Sequence, residues 1–102
     1  MNKSPLTENL KKEIDLLNRT IKIYCYIEKE QPIGISKLSE KLGIPEHKVR
    51  YSLRMLEKEK MIKPSPVGAT LSEKHPEFKE DLKNLLKDIS DLTNSLYEDL
   101  CE

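Results

Sequence analysis

Between Ile35 and Ser72 the chain reads ISKLSEKLGIPEHKVRYSLRMLEKEKMIKPSPVGATLS, and the punctuation of this segment constrains the fold more than any other feature. A short run, Lys37 to Leu42, turns Leu38 and Leu42 inward and stops at Gly43, where a tight turn calls for positive φ. Ser36 is placed to cap this helix, and Glu40 lies close to the position that completes a capping box. Ile44 plugs the turn, and Pro45 opens a longer helix, expected over 45–60, at the position proline tolerates best. Met61-Ile62 then resumes as a strand-like apolar pair. Pro64-Ser65-Pro66-Val67-Gly68 forms a turn, and Ala69-Thr70-Leu71 returns as a short strand.

The longer helix has two chemically distinct faces. At about 100° per residue, Val49, Leu53 and Leu56 form one apolar stripe. His47, Arg50, Tyr51, Arg54 and Lys58 fall on the opposite half. A solvated basic face is common in charged proteins. Here it lies on the second helix after a glycine turn, the position of a helix that reads base edges in a DNA groove.

Long helices are expected on both sides of this segment. Ser4-Pro5 supplies an N-cap and a first-turn proline. Leu10, Ile14, Leu17, Ile21 and Tyr24 recur at helical spacing, widened by Leu16, Ile23 and Ile27, and nothing breaks the run before Pro32. Its second half, from Arg19 to Lys29, is expected to serve as the first helix of the central module. Leu6, Leu10, Ile14 and Leu17 in the first half need a cover, either the C-terminal helix or a second copy of the chain. Gln31-Pro32-Ile33-Gly34 breaks the helix and reverses the chain. After Ser72, a candidate N-cap, a regular helix is expected from about His75 to Glu77 onward. It carries Phe78, Leu82, Leu85, Ile89, Leu92 and Leu96 at alternating steps of four and three. Leu86 and Leu100 widen that heptad seam. Leaving so many leucines in water forgoes several kcal/mol at about 25 cal/mol per Å², so the terminal helices are expected to join two copies as a homodimer. The organisation expected is a helical extension over 1–18, the module over 19–74 and a coiled-coil-like helix over 75–102.

The composition is polar for a compact globule, 36% hydrophobic and 35% charged over 102 residues, and its net charge is zero. The distribution is uneven. Residues 35–74 carry nine basic side chains against five acidic ones, whereas residues 75–102 carry three against eight. A basic centre steers a polyanion whatever the total charge. No apolar run is long enough to span a membrane, and the first residues, MNKSPLTENLKK, contain no apolar signal region, so the cytoplasm is the expected compartment. Cys25 and Cys101 do not suggest a disulfide framework.

Catalysis finds no support in the residues. There is no phosphate-binding glycine loop, no nucleophile elbow and no metal-ligand spacing around His47 or His75, so no cofactor or metal is expected. DNA fits better. Arg50 and Arg54, four residues apart, can offer guanidiniums to guanine edges, and Tyr51 and His47 can meet a base edge or a phosphate. Lys41, Lys48, Lys58 and Lys63 would neutralise phosphates, and Ser36 with its helix start could anchor one. Two other classes fit the same residues: an architectural protein coating DNA with little sequence preference, and a module that docks proteins through its acidic tail.

The segment from Lys37 to Glu73 resembles the winged helix-turn-helix of MarR/ArsR-type regulators, and especially the small predicted archaeal transcriptional regulators. The resemblance is carried by Leu38, Leu42, Gly43-Ile44, Val49, Leu53, Leu56, Met61-Ile62 and Leu71-Ser72, over roughly residues 19–75. It implies a mainly α fold with a small β-hairpin wing, and a dimeric regulator bound to double-stranded DNA. In two places the chain departs from that family. Lys60 stands where the family usually has glycine, so the helix either runs on or ends in a strained cap. The hairpin tip also lacks the usual basic residues, which weakens the case for wing–DNA contact. No cysteine pair resembles an ArsR-type metal site, so metal sensing is not implied, and the sequence names no small-molecule effector.

Overall fold

The structure, a computed structural model, describes residues 5–102. The expected Ser4 cap lies outside the described residues. In chain order the elements are α1 (Pro5–Glu30), α2 (Ile35–Leu42), α3 (Glu46–Lys58), β1 (Ile62–Lys63), β2 (Thr70–Leu71) and α4 (His75–Leu100). This is the mainly helical winged helix-turn-helix with a hairpin wing that the punctuation predicts. The chain divides into two compact units, 1–72 and 73–102.

In the first unit α3 packs on α1 and α2. Ile23 and Ile27 of α1, Leu38 of α2 and Val49 of α3 are wholly buried, with Leu53, Leu56, Met61 and Ile62 close behind. Ser52 is wholly buried too. It completes the α3 stripe at one turn from Val49, a position that a reading by hydrophobicity passes over. The cost of burying its hydroxyl is offset across the α1–α3 seam. Its Oγ lies 2.9 Å from Thr20 Oγ1 and accepts from Arg19 Nε at 3.2 Å. Burial, with Glu28 and Cys25 adding smaller effects, pushes the Tyr24 phenol up to about 12, so it stays neutral across the ordinary pH range.

The two strands pair antiparallel, Ile62 with Leu71 and Lys63 with Thr70. The break at 31–34, expected only to reverse the chain, adds a third edge to this hairpin. Ile33 N–H donates to Ala69 O (3.2 Å), Ala69 N–H donates to Ile33 O (2.8 Å), and Leu71 N–H donates to Gln31 Oε1 (2.8 Å). Gly68 makes that approach possible. Its φ is 128°, and a Cβ there would sit 2.4 Å from Ile33 C and 2.6 Å from Ile33 O. Gly68→Ala is therefore expected to destabilise the unit by about 2–4 kcal/mol, read as a lower urea midpoint.

The helix ends depart from the sequence reading in several places. Ser36 does not cap α2. The N-cap is Gly34, whose carbonyl accepts from Leu38 N–H at 3.0 Å, and Ser36 is an exposed residue of the first turn. The extended backbone conformation that an N-cap needs falls two residues earlier, at Gly34, directly after Ile33 pairs with Ala69. Pro45 is likewise the N-cap of α3 rather than its first residue. Ser72 does not cap α4, whose N-cap is Lys74; its hydroxyl donates instead to Lys60 O. Gly43 closes α2 at φ 66°, as the tight turn requires.

α3 stops at Lys58, short of Lys60, and of the two outcomes open at its end the strained cap is the one adopted. Lys60 has φ 61°; its N–H donates to Glu57 O (2.9 Å), and Met61 N–H donates to Leu56 O (2.9 Å). This is the Schellman pattern with a lysine where glycine is at ease. Left-handed backbone costs a non-glycine residue about 1–2 kcal/mol, part of which glycine returns as unfolded-state entropy. Lys60→Gly is thus expected to stabilise the fold by about 0.5–1 kcal/mol, seen as a higher urea midpoint at unchanged slope.

In the second unit, α4 is a single 26-residue helix with Pro76 in its first turn and no buried residue. Leu85, Leu92, Leu96 and Leu100 are each more than half exposed, and Ile89 is 36% exposed. The first half of α1 shows the same condition, with Leu6, Leu10 and Ile14 exposed and Leu17 half-buried.

Candidate nucleic-acid interface

With Val49, Ser52, Leu53 and Leu56 turned inward, helical geometry carries His47, Arg50, Tyr51, Arg54 and Lys58 out on the other side. All five are exposed, Tyr51 by 52%. They form one convex strip along the helix, on the side away from its buried stripe. Lys48 is also exposed, on the flank of α3 next to α1. Ser36 and Lys41 lie exposed on α2, and Lys63 lies exposed on β1. The structure thus gathers six of the expected residues on α3 and places the other three on neighbouring elements.

The wing is built for rigidity rather than charge. Ser65 N–H donates to Gly68 O (3.0 Å) and Gly68 N–H donates to Ser65 O (3.1 Å). The Ser65 hydroxyl adds a bond to Gly68 O at 2.6 Å. Thr70 Oγ1 donates to Lys63 O (3.3 Å), so it closes the hairpin. Between α3 and this turn lies a groove of about 460 Å³ lined by Leu53, Glu57, Ile35 and the tip residues; it contains a carboxylate and no cation. A phosphate finds no counter-charge there.

Among the described residues, no group of three or more His, Cys, Asp or Glu side chains could hold a metal ion. Among these residues, too, no helix is long and apolar enough to cross a membrane.

The geometry, a basic strip on the second helix of the helix-turn-helix in a winged module, has a counterpart in sequence. The family described as the CggR N-terminal DNA binding domain matches residues 16–86, well over half of the chain. The chain belongs to this family. The central glycolytic genes regulator of Bacillus subtilis (strain 168) is 31% identical to it over 78 residues, 76% of this chain and 23% of that protein. The chain therefore spans less than a quarter of the length of that relative.

This CggR-type membership corrects the resemblance to MarR/ArsR-type and small archaeal regulators, which holds only at the level of a DNA-binding domain of transcriptional regulators. The reason is physical. The residues that carried the resemblance, Leu38, Leu42, Gly43-Ile44, Val49, Leu53 and Leu56, are mostly the core and turn positions that any winged helix-turn-helix must fill. They identify the module and do not separate its families.

Proposed function

We propose that the chain binds double-stranded DNA sequence-specifically as a homodimeric transcriptional regulator, with α3 lying in the major groove. The observation that carries this reading is the exposed strip on α3, where His47, Arg50, Tyr51 and Arg54 project from a helix whose opposite side is the core. A helix about 10–12 Å across suits a groove about 12 Å wide. Arg50 and Arg54 are the base readers, each bidentate pair with guanine being worth about 1–3 kcal/mol of discrimination. Lys41, Lys48, Lys58 and Lys63, with the first turn of α2 at Ser36, neutralise phosphates and set the register.

The second copy follows from the apolar stripes. Leu10, Ile14 and Leu17 on α1, and Phe78, Leu82, Leu85, Ile89, Leu92 and Leu96 on α4, are all exposed or half-buried in one chain. The heptad spacing on α4 is that of a helix packed against another helix. Two copies related by a two-fold axis present two α3 helices to half-sites about one helical turn apart.

In-vitro selection from random duplexes, using the full chain, tests this reading. A recovered two-fold-symmetric motif with that spacing supports it. A pool recovered without any sequence enrichment supports an architectural DNA coat, and no retention of duplex DNA at low salt sinks DNA binding altogether.

A further inference from the structure

A second concavity lies on the opposite flank of α3 from the wing groove, and its chemistry is the reverse. About 260 Å³ in volume, it is framed by the Gly43-Ile44-Pro45 turn, by Arg19 and Lys22 of α1 and by Lys48 of α3, and no acid lines it. Among the described residues, none of these three cations forms an ion pair with a carboxylate. Arg19 is also held in place: its Nε is fixed to the buried Ser52 hydroxyl at 3.2 Å, which directs a half-buried guanidinium to the pocket instead of leaving it to sweep through solvent. Lys48 sits about 100° round the helix from His47, toward the side where Ser52 meets α1.

Resting on the reading that α3 enters the major groove, we propose that Arg19, Lys22 and Lys48 form a phosphate clamp that grips the DNA backbone along the α1 side of α3. A helix that nearly fills the groove brings its flanks against the two phosphate walls. The wing-side flank offers Glu57 and an uncharged tip, and the α1-side flank offers three unpaired cations in a concave seat. A cationic seat for the backbone is therefore present on one flank only, while Lys63 and Ser36 on the wing side meet phosphates from open surface. The clamp takes the role usually given to a basic wing and supplies affinity and register without reading sequence.

The test is fluorescence anisotropy of the full chain on a selected and a random duplex across a salt series. Lys22→Gln and Arg19→Gln should each weaken binding equally on both duplexes, and each should flatten the log K against log salt slope by about 0.9. Arg19→Lys should restore the slope, since a charge rather than the Ser52 bond is what meets the phosphate. Thermal melts identify any loss due to unfolding, and exposed Lys22 keeps the test valid if Arg19→Gln does not fold. Wild-type slope in Lys22→Gln, or a loss confined to the selected duplex, overturns the clamp. If Lys22→Gln is silent while Arg54→Ala still loses discrimination, the clamp alone has failed. If the wild type binds neither duplex, the DNA-binding reading has failed with it.

Discussion

Arg54→Ala is expected to lower affinity for a selected duplex by about 5- to 150-fold, while affinity for random duplex falls only a few-fold. The range is that of one good bidentate pair, about 1–3 kcal/mol, at 1.4 kcal/mol per tenfold. The asymmetry is the informative part. On random DNA the guanidinium serves mainly as one charge among many, and removing it costs one counterion-release contribution. On the right sequence it also loses a base edge that no other side chain replaces. Arg54 is exposed and lies outside the buried stripe of α3, so the loss should come without a change in the melting temperature. Equal losses on both duplexes would remove Arg54 from the base-reading role and leave it a phosphate contact. Arg50→Ala should behave in the same way, and the double variant should lose less than the product if both arginines share one base step.

Ile89→Asp is expected to convert the proposed dimer to a monomer of 11.9 kDa in sedimentation and to abolish tight binding to a two-half-site duplex. Ile89 lies mid-seam on α4, between Leu85 and Leu92, and remains 36% exposed in the single chain. A carboxylate placed there must enter an apolar layer unpaired in both copies, which costs several kcal/mol per copy. Ser90→Asp, one residue further and off the seam, should leave the mass unchanged. Losing the dimer also means losing the effective concentration that couples the two half-sites, so the DNA defect should exceed that of any one arginine. A wild type that sediments as a monomer at micromolar concentration, or an unchanged mass in Ile89→Asp, would show that the stripe does not join copies of this chain.

How much of this was legible in advance depends on whether a signal is local. The interruptions at Pro32, Gly43 and Pro45, and the turn through Gly68, divide the chain into its observed elements, because backbone permission is a property of single residues. The stripe of Val49, Leu53 and Leu56 is also legible, since helical period alone puts those side chains on one face. Ser36 and Ser72 have the residue type of a cap without its place, for a related reason. A capping residue is recognisable by type, but whether the chain at that point is extended or already helical depends on what it packs against, and Gly34 directly follows Ile33, which pairs with Ala69, and lies against Gly68.

By itself, then, the sequence determined the order of elements, the winged module, the inward stripe of α3 and hence the basic strip turned away from it. It did so because period and punctuation act within a few residues. The tertiary structure decided what depends on distant partners. Ser52 is a core residue only because Thr20 and Arg19 reach it from another helix, 32 and 33 positions away. The third edge of the wing exists only because Ile33 meets Ala69. The basic pocket is made by α1, the turn and α3 together, and each of its cations looks like an ordinary surface charge when read alone. A side chain's neighbours along the chain say which way it points; only the packed fold says what it meets there.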